Sequence, residues 1–471
     1  MSPHAQTRSR PRSRPAQPTA PPPAPSTAPT PTPTPRRQVP AAWLALLATP
    51  VAASANSPVL ILPGMAGSLG VSTATATWLV TVFAWAMAVG TPLMAQLLRH
   101  RGLGSTLRLS AGLIVAGTAV LAAAPWLPLA MAGRAAQAVG GAGLITAAMS
   151  LAGSVRRMGV ITAGFGTLGA LGPLLGSAIA GVASWRVSLA VGAVALLAVP
   201  AVMRRADVTA PHPTTPTTPT TQATSATSAT RNTPNTPATQ NTQNTPTAPH
   251  PSTPTTPRQS TPFDTRGATL LVLTATALVL IPRYPLPAVL AALVTATLLA
   301  LHSRSHPTGF VPAALLRTRA FVLSAALACA LATSYFTLLF TVPQLLRDRT
   351  DWSSGTIGTG QLVALLAGSA LSMALAAAAA RMTRPRVLTI LLTVGALAPL
   401  TALLTPWAPL LLLVSTLAGV ATSAGQATLA VYATAAAPAA QRATAIGLFN
   451  LCYQLGGAFG PAIAATIALG G

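Results

Sequence analysis

The chain contains no lysine and no glutamate, and its only carboxylate side chains are Asp207, Asp264, Asp348 and Asp351. Paired-carboxylate catalysis, acidic metal cages and Ser-His-Asp triads all need acids beside their partners, so these enzyme classes are excluded. Cysteine is almost as scarce. Cys329 and Cys452 each lie inside an apolar run, which writes neither a disulfide framework nor a zinc site. No cofactor and no metal are called for. Aromatic residues make up 4 % of the 471 residues, leaving few cages for a cationic ligand. Charged residues make up only 7 %, where a soluble protein carries roughly a quarter. What remains is apolar: 51 % hydrophobic side chains and a mean hydropathy of +0.58, the composition of a polytopic membrane protein.

Two stretches interrupt the apolar text. Residues 1–40 form an Arg/Pro-rich tail and residues 205–266 a Thr/Pro-rich linker; both are expected to be disordered, because proline at this density breaks helices and nothing is left to bury. Between and after them, apolar runs reach membrane length, about 20 residues for a hydrocarbon core of about 30 Å. Spans are expected near 43–66, 76–98, 107–125, 128–152, 158–182 and 186–203, forming an N-terminal six-helix bundle over 41–204. Two shorter runs, 268–282 and 286–301, form an extra helical hairpin within 267–304. Runs at 320–343, 355–380, 387–404, 408–434 and 443–469 make a C-terminal bundle over 305–471. The fold class expected is an all-α polytopic membrane protein of about 13 spans in the order six, two, five, with the last bundle one helix short.

The 28 basic residues are all arginines and give a net charge of +24. Placed on this map, most fall in alternate loops, from Arg99 and Arg101 to Arg204, Arg205, Arg384 and Arg442. The opposite loops hold only Arg186, Arg283, Arg347 and Arg349. Basic residues accumulate in cytoplasmic loops, so the N-terminus and the linker are expected inside. Trp78, Trp126, Trp185, Trp352 and Trp407 fall at the predicted outer ends, as an interfacial belt requires. The basic excess is thus a topology signal, with no nucleic-acid surface in it; the expected partners are the lipid bilayer and a small-molecule substrate, for a monomer.

The halves echo each other. Gly169-Ala170-Leu171-Gly172-Pro173 matches Gly457-Ala458-Phe459-Gly460-Pro461 at four of five positions, the mark of parallel repeats around one cavity. On these residues the chain resembles the major facilitator superfamily, most closely its drug:proton antiporters with fourteen transmembrane segments. Gly172-Pro173-Leu174-Leu175-Gly176-Ser177 looks like the antiporter motif Gly-Pro-x-x-Gly-Gly. Arg134-Ala135-Ala136-Gln137-Ala138-Val139-Gly140-Gly141-Ala142 is similar to Arg-x-x-Gln-Gly-x-Gly-x-Ala. Ser184-Trp185-Arg186 and Leu316-Arg317-Thr318-Arg319-Ala320-Phe321 resemble two further family segments. The loop motif departs from the pattern: Arg99 stands where the family has Asp, with Gly102 kept, and the family's first-helix Asp would fall near Ser54.

Arg134 is the one charge placed firmly inside a span. With Gln137 it is a candidate substrate or coupling site, because a charge at the bilayer centre costs roughly 2.5 to 3.5 kcal/mol unless a cavity or hydrogen bonds hold it. Further pathway candidates are Asn56, Ser57, Gln361, Gln426, Asn450, Tyr453 and Gln454; Tyr335, Phe336 and Phe340 form one aromatic group, for which core packing is expected. The Gly-Pro helices, with Gly172, Pro173, Gly176, Gly460 and Pro461, are expected to supply the moving interface. No Asp, Glu or His falls inside a span as drawn, so protons are only a candidate coupling ion. Asp348 and Asp351 are expected to pair with Arg347 and Arg349 in an outer loop. The resemblance implies export of hydrophobic or amphipathic small molecules, drugs or antibiotics, by alternating access across a bacterial inner membrane. The rival expectation is a facilitator-fold protein without transport that serves as sensor or scaffold.

Overall fold

The computed structural model describes residues 39–152, 155–206, 264–307, 309–379, 381–438 and 441–467; the expected tail, almost all of the linker and the last two residues of the final span lie outside them. Every regular element among the described residues is helical. That follows from the solvent: in lipid each backbone N–H and C=O must be satisfied within its own segment. Eight helical stretches among the described residues are long and apolar enough to cross a membrane, one of them the doubled Thr73–Ala123.

The first span is a bent chain of pieces, where the sequence predicts one helix. Helix α1, Ala41–Asn56, passes into a 3₁₀ turn, Ser57–Leu60, and then into α2, Leu62–Leu69. Pro58 and Pro63 each sit in the first turn of the piece that follows them, where a missing N–H costs nothing and the preceding ladder cannot be continued. A short α3, Thr73–Ala76, is capped by the Ser72 hydroxyl, which accepts from the Thr75 N–H at 3.1 Å. The second and third spans form one helical trace, α4 (Trp78–Ala123), broken only at Gly102, whose φ of 78° favours glycine. The chain doubles back there, since Phe83 and Ile114 line one cavity.

Helix α5, Leu127–Ala152, lies against the third span through glycine. A Cβ on Gly117 would stand 2.6 Å from the Gly133 carbonyl oxygen, and one on Gly133 2.7 Å from that of Gly117. Small residues let helices approach where lipid supplies no hydrophobic drive. Helix α6, Val155–Val182, is followed by α7 (Trp185–Leu189), a 3₁₀ stretch of nine residues, Ala190–Ala198, and α8 (Val199–Arg205). The sixth span thus lies where expected but is wound more tightly in its middle. Nothing in its wholly apolar sequence explains that winding.

The extra hairpin comprises α9, Thr265–Leu280, and α10, Pro285–Ser305. It docks on the second span, where the Trp85 indole N–H donates to the Thr276 hydroxyl at 3.1 Å. After α11 (Ala313–Arg317) come α12 (Arg319–Arg349), α13 (Ser354–Ala379), α14 (Arg384–Leu404), α15 (Ala408–Ala435) and α16 (Arg442–Ile467). Helical segments therefore lie along each of the expected runs, and eight of the described stretches are of membrane-crossing length and hydropathy. Successive spans alternate in direction, so the start of α1 marks a near face and Gly70 lies toward the far face.

Each half is stitched by a related seam. On α6, a Cβ on Gly172 would meet the Ala53 carbonyl of α1 at 2.8 Å, and one on Gly176 would overlap the Ser57 carbonyl. On α16, a Cβ on Gly456 would overlap the Cys329 carbonyl of α12, and one on Gly460 would stand 2.7 Å from the Thr337 amide nitrogen. The halves meet each other through α4 against α16 and α6 against α13. Toward the far face Val59, Leu62 and Val80 of the first half pack with Leu339, Phe340 and Leu365 of the second.

Two expectations fail at the far end of α12. The helix runs six residues beyond its predicted end, so Arg347, Asp348 and Arg349 form its last turn instead of a loop. Asp348 and Asp351 are exposed, and among the described residues the only acid–base pair is His302 with Asp264. Arg347 donates to the Gln344 amide oxygen and the Leu60 carbonyl, both at 3.4 Å, and Arg349 to the Thr405 carbonyl at 2.7 Å. Free carbonyls at helix ends outcompete exposed carboxylates that water already solvates. Of the tryptophans expected in the outer belt, Trp126 and Trp407 are exposed, whereas Trp185 is buried beneath the Arg186 guanidinium, 4.4 Å from its ring centroid.

Candidate functional site

The site grows from one costly residue. Arg134 is fully buried on α5, eight residues into that helix, and its charge must be satisfied by what surrounds it. Its Nη1 donates to the Ser54 hydroxyl at 3.1 Å, the Gln137 amide oxygen at 3.1 Å and the Leu189 carbonyl at 3.4 Å. Its Nη2 donates to the Ser54 carbonyl at 3.1 Å, and its Nε is buried without a partner. The Phe83 ring covers one face of the guanidinium, with Cζ 4.0 Å from the centroid, a cation–π contact in a dry setting.

The acceptors come from segments far apart in the chain. The Leu189 carbonyl is offered where α7 passes into the 3₁₀ stretch, and the Ser54 hydroxyl donates to it at 2.9 Å. Gln137 sits one turn beyond Arg134 on the same face, and its amide nitrogen donates to the Thr118 hydroxyl at 2.9 Å. Beside this network lies a small cavity of about 10 Å³ bounded by Ser54, Phe83, Ile114, Gln137 and Gly192. All the residues that line it belong to the first half.

Asn56, the last residue of α1, donates to the Gly169 carbonyl of α6 at 2.9 Å, so it ties the seam that Gly172 and Gly176 keep narrow. Pro173 and Pro461 lie inside α6 and α16. The Gly-Pro residues thus sit at seams within each half, α1 with α6 and α12 with α16, not across the boundary between halves. Gln361 on α13 is fully buried with both amide atoms unpartnered; Gln426, Asn450, Tyr453 and Gln454 are half-buried on α15 and α16. The structure does not join these five to the Arg134 network. Tyr335 and Phe336 meet edge to face at 5.1 Å within the core, as packing predicts. Arg99 is exposed at the near face, and Gly102 supplies the positive φ of the turn beside it.

Sequence reasoning missed Phe83, Thr118 and the Leu189 carbonyl. A lone phenylalanine and a threonine in apolar spans carry no motif, and a main-chain carbonyl carries no residue identity at all. It also missed the Asp264 clasp at the near end of the hairpin. Asp264 accepts from the Gly267 amide at 2.8 Å, the Phe310 amide at 2.9 Å and pairs with His302 Nε2 at 2.9 Å. His302 stands on α10 because that helix runs beyond its predicted end to Ser305, and His306 stacks on it at 4.4 Å. Burial works to raise the Asp264 carboxyl, but the two amides and His302 outweigh it and hold it below the ordinary carboxylate range.

A sequence model described as Major Facilitator Superfamily matches residues 42–461. No curated protein matches the chain in sequence. Among solved structures the fold is similar to that of the POT family transporter PepTSo, with a TM-score of 0.56 at 16 % identity over 92 % of this chain and 90 % of that one. It is similar also to the human organic anion transporter MFSD10 (TETRAN), with a TM-score of 0.55 at 18 % identity over 92 % and 93 %. A peptide transporter POT in complex with sulfate gives 0.55 at 15 % identity over 91 % and 87 %.

Proposed function

The chain belongs to the Major Facilitator Superfamily, and from that premise we propose that this multi-pass transporter exports hydrophobic or amphipathic small molecules, drugs or antibiotics among them, by alternating access. The observation that carries the reading is the paired seam, α1 on α6 and α12 on α16, each held at backbone contact by glycine beside a proline. Two bundles that are each internally tight can rock as bodies about the boundary between them, which is what alternating access requires. The far face, where Arg347 of α12 reaches the Leu60 carbonyl, is then the outer gate, and the arginine-rich near face is cytoplasmic in a bacterial inner membrane.

In this reading Arg134 and Gln137 hold the first, second and sixth spans in register and orient water or solute groups near Ser54. Asn56, Gln361, Gln426, Asn450 and Gln454 line or border the pathway. Gln361 is the strongest of them, since two buried amide atoms without partners are costly unless something else binds them. The exposed Asp348 and Asp351 serve as outer proton acceptors if protons drive export. The protein works as a monomer.

A second reading has its own support. Among the described residues no carboxylate lies deeper than the last turn of a helix, and Arg99 stands where the related motif has an acid. Those features favour a facilitator-fold protein without coupled transport that acts as sensor or scaffold. Purified protein in liposomes separates the two. Under an imposed pH gradient, wild type moves an amphipathic dye and Arg134→Ala does not. If no dye or drug moves and the variant behaves identically, the export reading fails.

A further inference from the structure

Gln361 stands at the boundary between the two halves with nothing to bond. It lies on the face of α13 that meets the first half: three residues earlier, a Cβ on Gly358 would stand 3.4 Å from Leu60 Cδ1 and 3.9 Å from Leu174 Cδ2. Four residues later, Leu365 packs in the cluster that joins Val59, Leu62 and Val80 to Leu339 and Phe340. Residues three and four apart share a helix face, so Gln361 is held between those two contacts. It is fully buried, and neither its amide nitrogen nor its amide oxygen has a protein partner. Gln344 on α12 adds a third such atom. Its amide oxygen accepts from Arg347, while its amide nitrogen is buried and unpaired. The bond from Arg347 to the Leu60 carbonyl ties Gln344 to the same boundary.

These atoms oppose closure. A buried amide atom without a hydrogen bond carries its whole desolvation cost, which the same atom facing water does not. Gln361 lies two turns into α13, about 10 Å from its far end, so parting the far ends of the halves brings it to solvent while each bundle stays intact. Two things favour closure. One is the apolar cluster around Leu339 and Phe340; the other is Arg347, whose two bonds of 3.4 Å exceed the usual range of roughly 2.7 to 3.2 Å.

We propose that Gln361 is the opening element of the far gate: its unpaired amide raises the closed boundary toward the open one in free energy, with Arg347 on the Leu60 carbonyl as the opposing latch. The inference rests on the alternating-access reading and adds to it the two residues that set the balance. A gate so balanced is tipped by any solute that pairs with the Gln361 amide in one state only, since a ligand shifts an equilibrium by its differential affinity.

The test uses the full-length protein in lipid nanodiscs and follows amide hydrogen exchange by mass spectrometry. Gln361→Met keeps the volume and removes both amide atoms. Exchange over residues 57–69 and 354–365 then slows about tenfold, while exchange over 384–392 at the near face does not slow. Arg347→Gln removes the latch and speeds exchange over the first two segments about threefold or more. Gln361→Leu serves in the same way if the Met variant does not fold. The proposal is overturned if loss of the Gln361 amide leaves exchange unchanged, which would show the amide satisfied in the closed state. Equal slowing at both faces, the mark of general stabilisation, overturns it too, as does Arg347→Gln exchanging no faster than wild type. Exchange is read without any solute, so this result and dye flux fail independently.

Discussion

Arg134 is bonded to Ser54 twice, through Nη1 to the hydroxyl and through Nη2 to the main-chain carbonyl, each at 3.1 Å. The first bond fixes a rotamer, but the second grips the backbone of α1 itself. One side chain on α5 therefore locks the first span, and its third acceptor, Leu189, brings in the sixth.

Removing that lock has two separable costs. Arg134→Ala leaves the Gln137 amide oxygen without its donor and the Ser54 carbonyl with the Ser57 hydroxyl alone, and opens a void under Phe83, so stability falls by about 3 kcal/mol or more. Arg134→Met refills most of the volume without a charge to bury, and the loss stays within about 1.5 kcal/mol. Dye flux in liposomes is abolished in both, whereas thermal unfolding distinguishes them; a Met variant as unstable as the Ala variant contradicts this account.

The glycine seams predict a contrast by position. Gly176→Ala drives a methyl into the Ser57 carbonyl and lowers stability by about 1 to 3 kcal/mol, as overpacking does. Gly64→Ala, with open space around the built Cβ inside α2, lowers neither stability nor flux and raises stability by up to about 0.5 to 1 kcal/mol. Equal effects would mean that the α1–α6 seam yields more easily than its geometry implies.

Backbone conformation alone separates two glycines on α4. Gly102 has φ 78° with nothing near its Cβ position, so Gly102→Ala costs about 1 to 2 kcal/mol through strain. Gly112, also unobstructed but within regular helix, gains about 0.5 to 1 kcal/mol on replacement by Ala. Opposite signs in denaturant or thermal unfolding are the expected result.

The Asp264 clasp gives a pH dependence of known sign. Its carboxyl titrates below the ordinary value, so the stabilisation is complete above that value and disappears as pH falls through the depressed one. Hydrogen-exchange protection of the Gly267 and Phe310 amides should hold down to about pH 4 and decline in more acid solution. Asp264→Ala should remove that protection at every pH; an unchanged acid limb in the variant would show that another group controls it.

The spans and their order were legible because hydropathy over twenty residues is a property of the sequence itself. So was the pairing of Arg134 with Gln137, which one helical turn dictates. What could not be read were relations that pass through backbone. The Leu189 carbonyl belongs to no motif, the bend at Pro58 and Pro63 was hidden inside a continuous apolar run, and Ser54 became an acceptor only when α1 packed on α5. Asp348 and Asp351 show the opposite error. Their neighbours in sequence were the obvious partners, yet Arg347 and Arg349 turned to carbonyls of Leu60 and Thr405. The Gly-Pro repeat was visible, but sequence could not say which helix each copy faced.

The 3₁₀ stretch Ala190–Ala198 has a consequence for length. At about 2.0 Å per residue its nine residues reach about 18 Å, where α-helix would reach about 13.5 Å. Rewinding it would draw Leu189 and Arg205 closer by about 4.5 Å without altering any covalent bond. The sixth span is thus an extensible strut with the guanidinium cage at one end and the arginine pair at the other, and a shift at either end can be paid out or taken up along its middle.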